Sequence, residues 1–329
     1  MKKKTLIITT GFAKVILTRW LPLLRTVGDY QGDVLAICYG DISYVHSTPI
    51  ISEAISVIAL KEQPNVIVLQ PLKKLAGVYM DRVMVYRDYI LEHSEYDCVL
   101  IMDGNDTIFW GSIQPLIAMA KKKLCYIKEH AKNKLKIWND FYLRDWITKT
   151  DYYSIGENPI INAGVLGGPI KNILEYLQFM KDMIQVYGDA VSDQVYLDIL
   201  IYYYKYPARE VGYEWNYTHA IIAYEDGEMR FIKPTVPIIK DGKAYAETRE
   251  GDDGRQIFIE HRTGTGYWFW LSLEGYDVLN NSSPIPVNAE YGFPKLHRMR
   301  PKSGTWLFPT DNSNLPQQRT YTKTHLFPR

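Results

Sequence analysis

Two carboxylates stand three residues apart in Tyr96-Asp-Cys-Val-Leu-Ile-Met-Asp103-Gly-Asn-Asp106-Thr-Ile-Phe, just past a short apolar run. Hard divalent cations such as Mg²⁺ and Mn²⁺ take carboxylate oxygens and commonly share a diphosphate with the protein. A cation held this way neutralises charge building on a departing nucleoside diphosphate. Spacing alone equally suits an Asx-rich turn with solvated acids, a common exit from a strand. Other segments carry groups of related use. The amide of Asn162, in Ile161-Asn-Ala-Gly164-Val-Leu-Gly-Gly168, donates and accepts at once, which suits either a sugar hydroxyl or a strand-end cap. Gly164, Gly167 and Gly168 permit close backbone approach, or serve as turn glycines. Asp193-Gln194 follows Ser192, a residue suited to cap a helix, and an acid there is favoured by the helix dipole. His261 is one of seven histidines. As a borderline nitrogen ligand it suits Mn²⁺ better than Mg²⁺.

The elements that must position these groups follow from periodicity. Residues 5–10, 33–39, 65–69 and 98–102 are short apolar or β-branched runs that read as buried strands. Residues 14–27, 52–60 and 80–92 between them have helical spacing, with Pro22 predicting a kink or late start in the first. Strands alternating with helices predict a mainly parallel, doubly wound sheet, whose ligands bind beyond the carboxyl ends of the strands. Asp103 and Asp106 sit at such an end. After residue 110 the alternation weakens. Residues 124–127 and 160–166 read as strands, 172–187 and 193–204 as helices, and 205–265 as short strands and turns. Asp-Gly pairs at 226–227 and 241–242 mark hairpins. No G-x-G-x-x-G follows the first strand and no G-x-x-x-x-G-K-[ST] occurs, which argues against dinucleotide-binding and P-loop chemistry.

Four of these segments, in this order, resemble the motifs of GT-A glycosyltransferases. Asp103-Gly-Asn-Asp106 resembles the D-x-x-D form of their acidic motif, as in the glycosyltransferase domains of procollagen-modifying enzymes. Asn162-Ala-Gly164 resembles the N-[SA]-G strand that lines the sugar pocket, Asp193-Gln194 the D-Q at a helix start, and His261-Arg-Thr-Gly264 the H-x-x-G loop. The resemblance implies an α/β fold of GT-A (Rossmann-like) type, with a mainly parallel central sheet, helices on both faces and an irregular C-terminal extension. It implies Mn²⁺ or Mg²⁺ held by Asp103, Asp106 and His261. Asn162, Asp193 and Gln194 would face the transferred sugar, with Asp193 the candidate base if the reaction inverts. Thr9, Thr10 and Gly11 would hold base and ribose, and Gly104, Asn105, Gly164 and Gly264 would line the donor. A basic residue on the helix before the acidic strand would touch the acidic motif or nucleotide. Arg82 and Arg87 are the candidates, Arg87 having the closer spacing. The D-Q and H-x-T-G pattern leans towards retention of configuration. One departure is the loop Gly264-Thr-Gly266-Tyr-Trp, which lacks the lysine some families use on the diphosphate; either Lys302 or Arg262 substitutes, or metal and backbone hold the phosphate.

Bulk properties fit this picture. The 329 residues divide into a domain over 1–280, with a nucleotide-binding half to about 110 and an acceptor-side half to about 280, and a Pro-rich tail over 281–329. A net charge of +1 calls for no nucleic-acid partner. No apolar run approaches the roughly 18 residues of a membrane span, and the short apolar stretch after Met1-Lys-Lys-Lys4 is broken by Lys14, so no signal peptide is expected. A soluble cytoplasmic protein is expected, with peripheral membrane contact left open. Cys38, Cys98 and Cys125, odd in number and far apart, read as buried reduced thiols. The 26 tyrosines and 8 tryptophans serve core and loop packing in large part, and such rings also stack on sugar faces. The expected partners are a nucleotide-sugar donor, UDP-linked, and a glycan or protein acceptor. Two rival functions share the sheet. A sugar-nucleotide nucleotidyltransferase would carry a Gly-rich, Arg/Lys-bearing loop after the first strand, which Thr9-Thr-Gly-Phe-Ala-Lys14 lacks. A non-catalytic carbohydrate-binding protein would bind no UDP with metal.

Overall fold

A strand buried on both faces must be apolar at successive positions, not at alternate ones. Leu6, Ile7 and Ile8 of β1 (Lys4–Gly11) are all fully buried, as are Val34, Leu35 and Ala36 of β2 (Asp33–Cys38) and Val99 and Leu100 of β4 (Tyr96–Asp103). Both faces of the sheet they form are therefore covered. The computed structural model describes residues 4–38, 50–70, 78–132, 155–187, 193–218, 222–225, 228–231, 237–246 and 254–261. Ser192, Arg262, Gly264, Lys302 and the expected C-terminal tail lie outside them.

With β3 (Val66–Leu69), β6 (Cys125–Lys132), β7 (Pro159–Pro169) and β8 (Arg209–Val211), these strands make a seven-stranded sheet of order β3-β2-β1-β4-β7-β6-β8. β1 pairs in parallel with β2 and β4, and β2 with β3. β7 runs antiparallel between β4 and β6, while β6 and β8 are parallel. The chain is thus α/β with a mostly parallel central sheet, and one reversed strand lies beside β4.

Helix α1 covers residues 13–26 and buries Ile16, Trp20 and Leu24, one side at three- to four-residue spacing. The expected break at Pro22 takes a specific form. The helix widens over Ile16–Trp20, and Pro22 falls in the first turn of the segment Leu21–Thr26, where its missing N–H is tolerated. α2 (Ile50–Lys61), α3 (Val78–Glu92), α4 (Gln114–Ala120), α5 (Ile170–Tyr187) and α6 (Asp193–Asp198, running on through Tyr203) follow. The carboxylate of Asp198, fully buried, accepts from Ile161 N at 2.8 Å and ties α6 to β7.

A second, three-stranded sheet has the order β5-β15-β9, formed by β5 (Thr107–Phe109), β9 (Tyr217–Thr218) and β15 (Ile259–His261). β10 (Ile222–Glu225) pairs with β11 (Glu228–Phe231) across the Asp-Gly at 226–227. β12 (Ile238–Lys240), β13 (Lys243–Tyr245) and β14 (Gln256–Ile257) form a further sheet. Its hairpin turns at Asp241–Gly242, both at positive φ (51° and 71°), the two-residue turn that Asp-Gly favours. Among the described residues no helix is long and apolar enough to cross a membrane. The three cysteines are buried free thiols, and burial pushes Cys98 up to about 12 and Cys125 up to about 11.

Candidate metal centre

The turn after β4 is built by its neighbours. Gly104 N donates to Thr10 O at 3.0 Å, and Asn105 Oδ1 accepts from Phe12 N at 2.8 Å, so the acidic turn is laced to the end of β1. The Thr107 hydroxyl, fully buried, accepts from Trp20 Nε1 at 2.8 Å and donates to the Asp103 carbonyl. Gly104 is there for closeness, not for left-handed backbone. A Cβ on it would stand 2.6 Å from Thr9 Oγ1 and 3.0 Å from Thr10 O.

β5 then leads the chain directly out of the acidic turn, and β15 pairs antiparallel with it, setting His261 opposite Thr107. On its other side β15 runs parallel to β9, setting His261 opposite Thr218. This register delivers a histidine from 155 residues away to the two carboxylates. Nε2 of His261 lies 3.5 Å from Asp103 Oδ2 and 3.4 Å from Asp106 Oδ1. One ligand atom from each of the three residues fits within a span of 4.8 Å. Two ligands at about 2.1 Å from one cation stand roughly 3 Å apart. The spacing and the donor set, two carboxylates and an imidazole, fit a single divalent ion such as Mn²⁺ or Mg²⁺.

Electrostatics single out Asp103. Burial raises its pKa, the Arg82 guanidinium opposes this, Asp106 adds to it, and the net position is about 6. For Asp106 burial acts upward, but the charge and hydrogen bond of His261, with Arg19, hold it below the usual carboxylate range. Burial works against a charged His261, yet Asp106, Asp103 and Glu129 outweigh it and raise the imidazole. Asp103 stays hard to ionise even with a guanidinium beside it. Further positive charge at this point would relieve the cluster.

The two arginines on α3 part company. Arg82 reaches Asp103 at 3.4 Å and is ion-paired with Asp193, so it bridges the acidic turn and the start of α6. Tyr86, one turn along the same face, hydrogen-bonds the Thr10 hydroxyl. Arg87, the residue with the expected spacing, turns away to Gln178 on α5 at 3.0 Å and to Asp88. The packing of α3 against α5 takes Arg87 out of the site.

Other expected roles shift as well. Thr9 and Thr10 are buried, and the Thr10 hydroxyl is engaged by Tyr86, which disfavours a base-and-ribose contact through these side chains. Gly11 ends β1 against the Asn105 side chain. Asp193 is paired with Arg82 and accepts from Gln194 N at 2.9 Å, so it is no free base. Asn162 is 1 % exposed, and its amide engages protein partners where a sugar was expected. Its Oδ1 accepts from Gly164 N at 2.7 Å and Asn216 Nδ2 at 2.8 Å and faces His261 Nδ1 at 3.1 Å. Its Nδ2 donates to Glu129 Oε1 at 2.6 Å, with Gln194 Oε1 at a longer 3.5 Å. Glu129, Asn216, Tyr86 and Thr107 are site residues that the sequence reading missed. Thr107 directly follows the acidic turn, whereas Glu129, Asn216 and Tyr86 lie in no motif and reach the site through strand register or helix packing.

Gly164 explains itself here. A Cβ on it would penetrate the His261 ring at Cε1 and Nδ1 and approach Asn162 Oδ1 to 2.9 Å. Gly164→Ala is expected to displace the imidazole and cost about 1–3 kcal/mol, the usual range for overpacking. Urea unfolding of the metal-free protein, beside a Mn²⁺ titration, checks both effects; a variant with wild-type stability and Mn²⁺ affinity would refute this account of the glycine.

No family model matches the chain, and no curated protein matches its sequence.

Proposed function

We propose that this chain is a metal-dependent glycosyltransferase of GT-A type that moves a sugar from a nucleotide diphosphosugar, UDP-linked, to a glycan or protein acceptor. The observation that carries the proposal is the Asp103–Asp106–His261 cluster, gathered at the carboxyl end of β4 from two remote parts of the chain. That edge of a mainly parallel sheet is where such folds bind ligands. The order of the four resembling segments supports the same function, since three of them meet in space around His261 and the fourth, Asp193-Gln194, joins through Arg82 and Asn162.

Asp103, Asp106 and His261 would hold Mn²⁺ or Mg²⁺. Such an ion, when bound, neutralises charge on a leaving nucleoside diphosphate. The chain's own groups do the rest. Arg82 keeps a fixed positive charge between Asp103 and Asp193. The ties from Thr10, Phe12 and Thr107 hold the acidic turn in one geometry, which spares the reorganisation a loose turn would need. With Asp193 engaged by Arg82, the candidate base for an inverting displacement is occupied, which favours retention.

Thermal unfolding with UDP, GDP and CDP, each with and without Mn²⁺, tests the proposal. UDP is expected to raise Tm only when Mn²⁺ is present. At ligand a hundredfold above Kd the gain is about 2.7 kcal/mol. If no nucleotide moves Tm in the presence of Mn²⁺, the donor assignment fails.

A further inference from the structure

Glu129, on β6, is a carboxylate only 5 % exposed to which the mechanism above gives no task. It begins a chain of hydrogen bonds that ends on the imidazole, and the direction of each bond is forced. The backbone N–H of Gly164 can only donate, so the Asn162 side-chain atom 2.7 Å from it is the carbonyl oxygen. The same oxygen faces His261 Nδ1 at 3.1 Å, so that ring nitrogen carries a proton. The other ring nitrogen, Nε2, is the one 3.4 and 3.5 Å from Asp106 and Asp103. A neutral imidazole has one protonated and one bare nitrogen. With the proton of the neutral ring on Nδ1, Nε2 is the nitrogen that faces the two carboxylates, carrying a proton when the ring is charged and a lone pair when it is neutral. At the far end of the amide, Asn162 Nδ2 is a donor, and Glu129 Oε1 receives it at 2.6 Å.

We propose that Glu129 is a positioning residue. By anchoring the Asn162 amide it fixes His261 in the Nδ1–H tautomer, with Nε2 directed at the cation. The inference rests on the metal assignment of Asp103, Asp106 and His261, but on no nucleotide or sugar. Without Glu129, the one contact left to Asn162 Nδ2 among the described residues is Gln194 at 3.5 Å, at the limit of a hydrogen bond. The amide that seats the imidazole then loses its anchor at the nitrogen end and is held at its oxygen by Gly164 N and Asn216 Nδ2. Outer-layer partners of metal-bound histidines typically hold a factor of 10–100 in affinity.

Two measurements decide it. The first is the ¹⁵N spectrum of histidine-labelled, metal-free wild type at alkaline pH, with His261 assigned by its loss in His261→Ala. A protonated Nδ1 and a bare Nε2 are expected, and the reverse pattern overturns the proposal whether or not any variant folds. The second is Mn²⁺ titration of the wild type, E129A and E129Q, with circular dichroism as the folding control. E129A is expected to bind about 10–100-fold more weakly, while E129Q, whose amide oxygen still accepts from Asn162, recovers most of the loss. Wild-type affinity in a folded E129A overturns the proposal. So does an E129Q as weak as E129A, since the charge and not the hydrogen bond would then be at work. A donor assignment that fails, with no nucleotide bound, leaves both readouts intact.

Discussion

Asp106→Ala is expected to weaken Mn²⁺ binding by at least about a hundredfold and to erase any metal-dependent Tm shift with UDP. The magnitude follows from comparison. Loss of a partner one layer outside a metal site already costs a factor of about 10–100, and Asp106 would be a direct ligand. Two of the three donors would remain, and Asp106 is the one whose carboxylate is kept ionised by His261 in the metal-free state. Removing it also takes away the charge and hydrogen bond that do most to raise His261, so the imidazole pKa is expected to fall. The fold itself should survive, because Asp106 is 20 % exposed and anchors no strand, while the turn is held by Gly104, Asn105 and Thr107. Isothermal titration with Mn²⁺, beside circular dichroism, checks both halves. Wild-type affinity in the folded variant would take Asp106 out of the site.

The sheet was legible because burial on both faces leaves an unbroken apolar run. Residues 5–10, 33–39 and 65–69 correspond to β1, β2 and β3 to within a residue at each end. Placing Asp103 at the carboxyl end of β4 needed only that run and its polar exit. The two Asp-Gly pairs were legible for a similar local reason, and both fall between paired antiparallel strands.

What brings His261 to the carboxylates was not legible. β5, β9 and β15 are three, two and three residues long, too short to show a period. Their pairing is a tertiary fact, and only the resemblance of the motif order suggested its outcome. Arg82 and Arg87 show a second limit. Helix α3 packs on more than one side, so a half-buried arginine on it faces either the site or α5, and spacing does not tell which. Asn162 shows a third. An amide has two ends, and the sequence does not reveal that Glu129 and His261 occupy them. Gly164 was expected to admit a donor closely, and in the structure the group it admits is the His261 ring.

The position of Asp103 gives the second large effect, and it has opposite signs with and without metal. D103N is expected to stabilise the metal-free protein by about 1–2 kcal/mol at pH 7.5. The Asp103 carboxyl moves from 3.8 to about 6 on folding. Between those values the folded state holds the proton more tightly than the unfolded chain, so stability falls as pH rises through the window and the full penalty is present above about 6. Two units correspond to about 3 kcal/mol. The side chain is 31 % exposed, and solvent screening reduces this to the smaller figure. An amide carries no such penalty, while Arg82 keeps Asp193 and His261 keeps Asp106. With saturating Mn²⁺ the order should reverse, because the wild type gains the binding free energy and the amide variant, a poor ligand for a hard cation, gains little. Urea unfolding at pH 7.5 in chelator and again in Mn²⁺ measures both signs. A D103N protein less stable than wild type in chelator would mean that Asp103 belongs to a satisfied ion-pair network, and that this corner of the sheet has no electrostatic need for a cation.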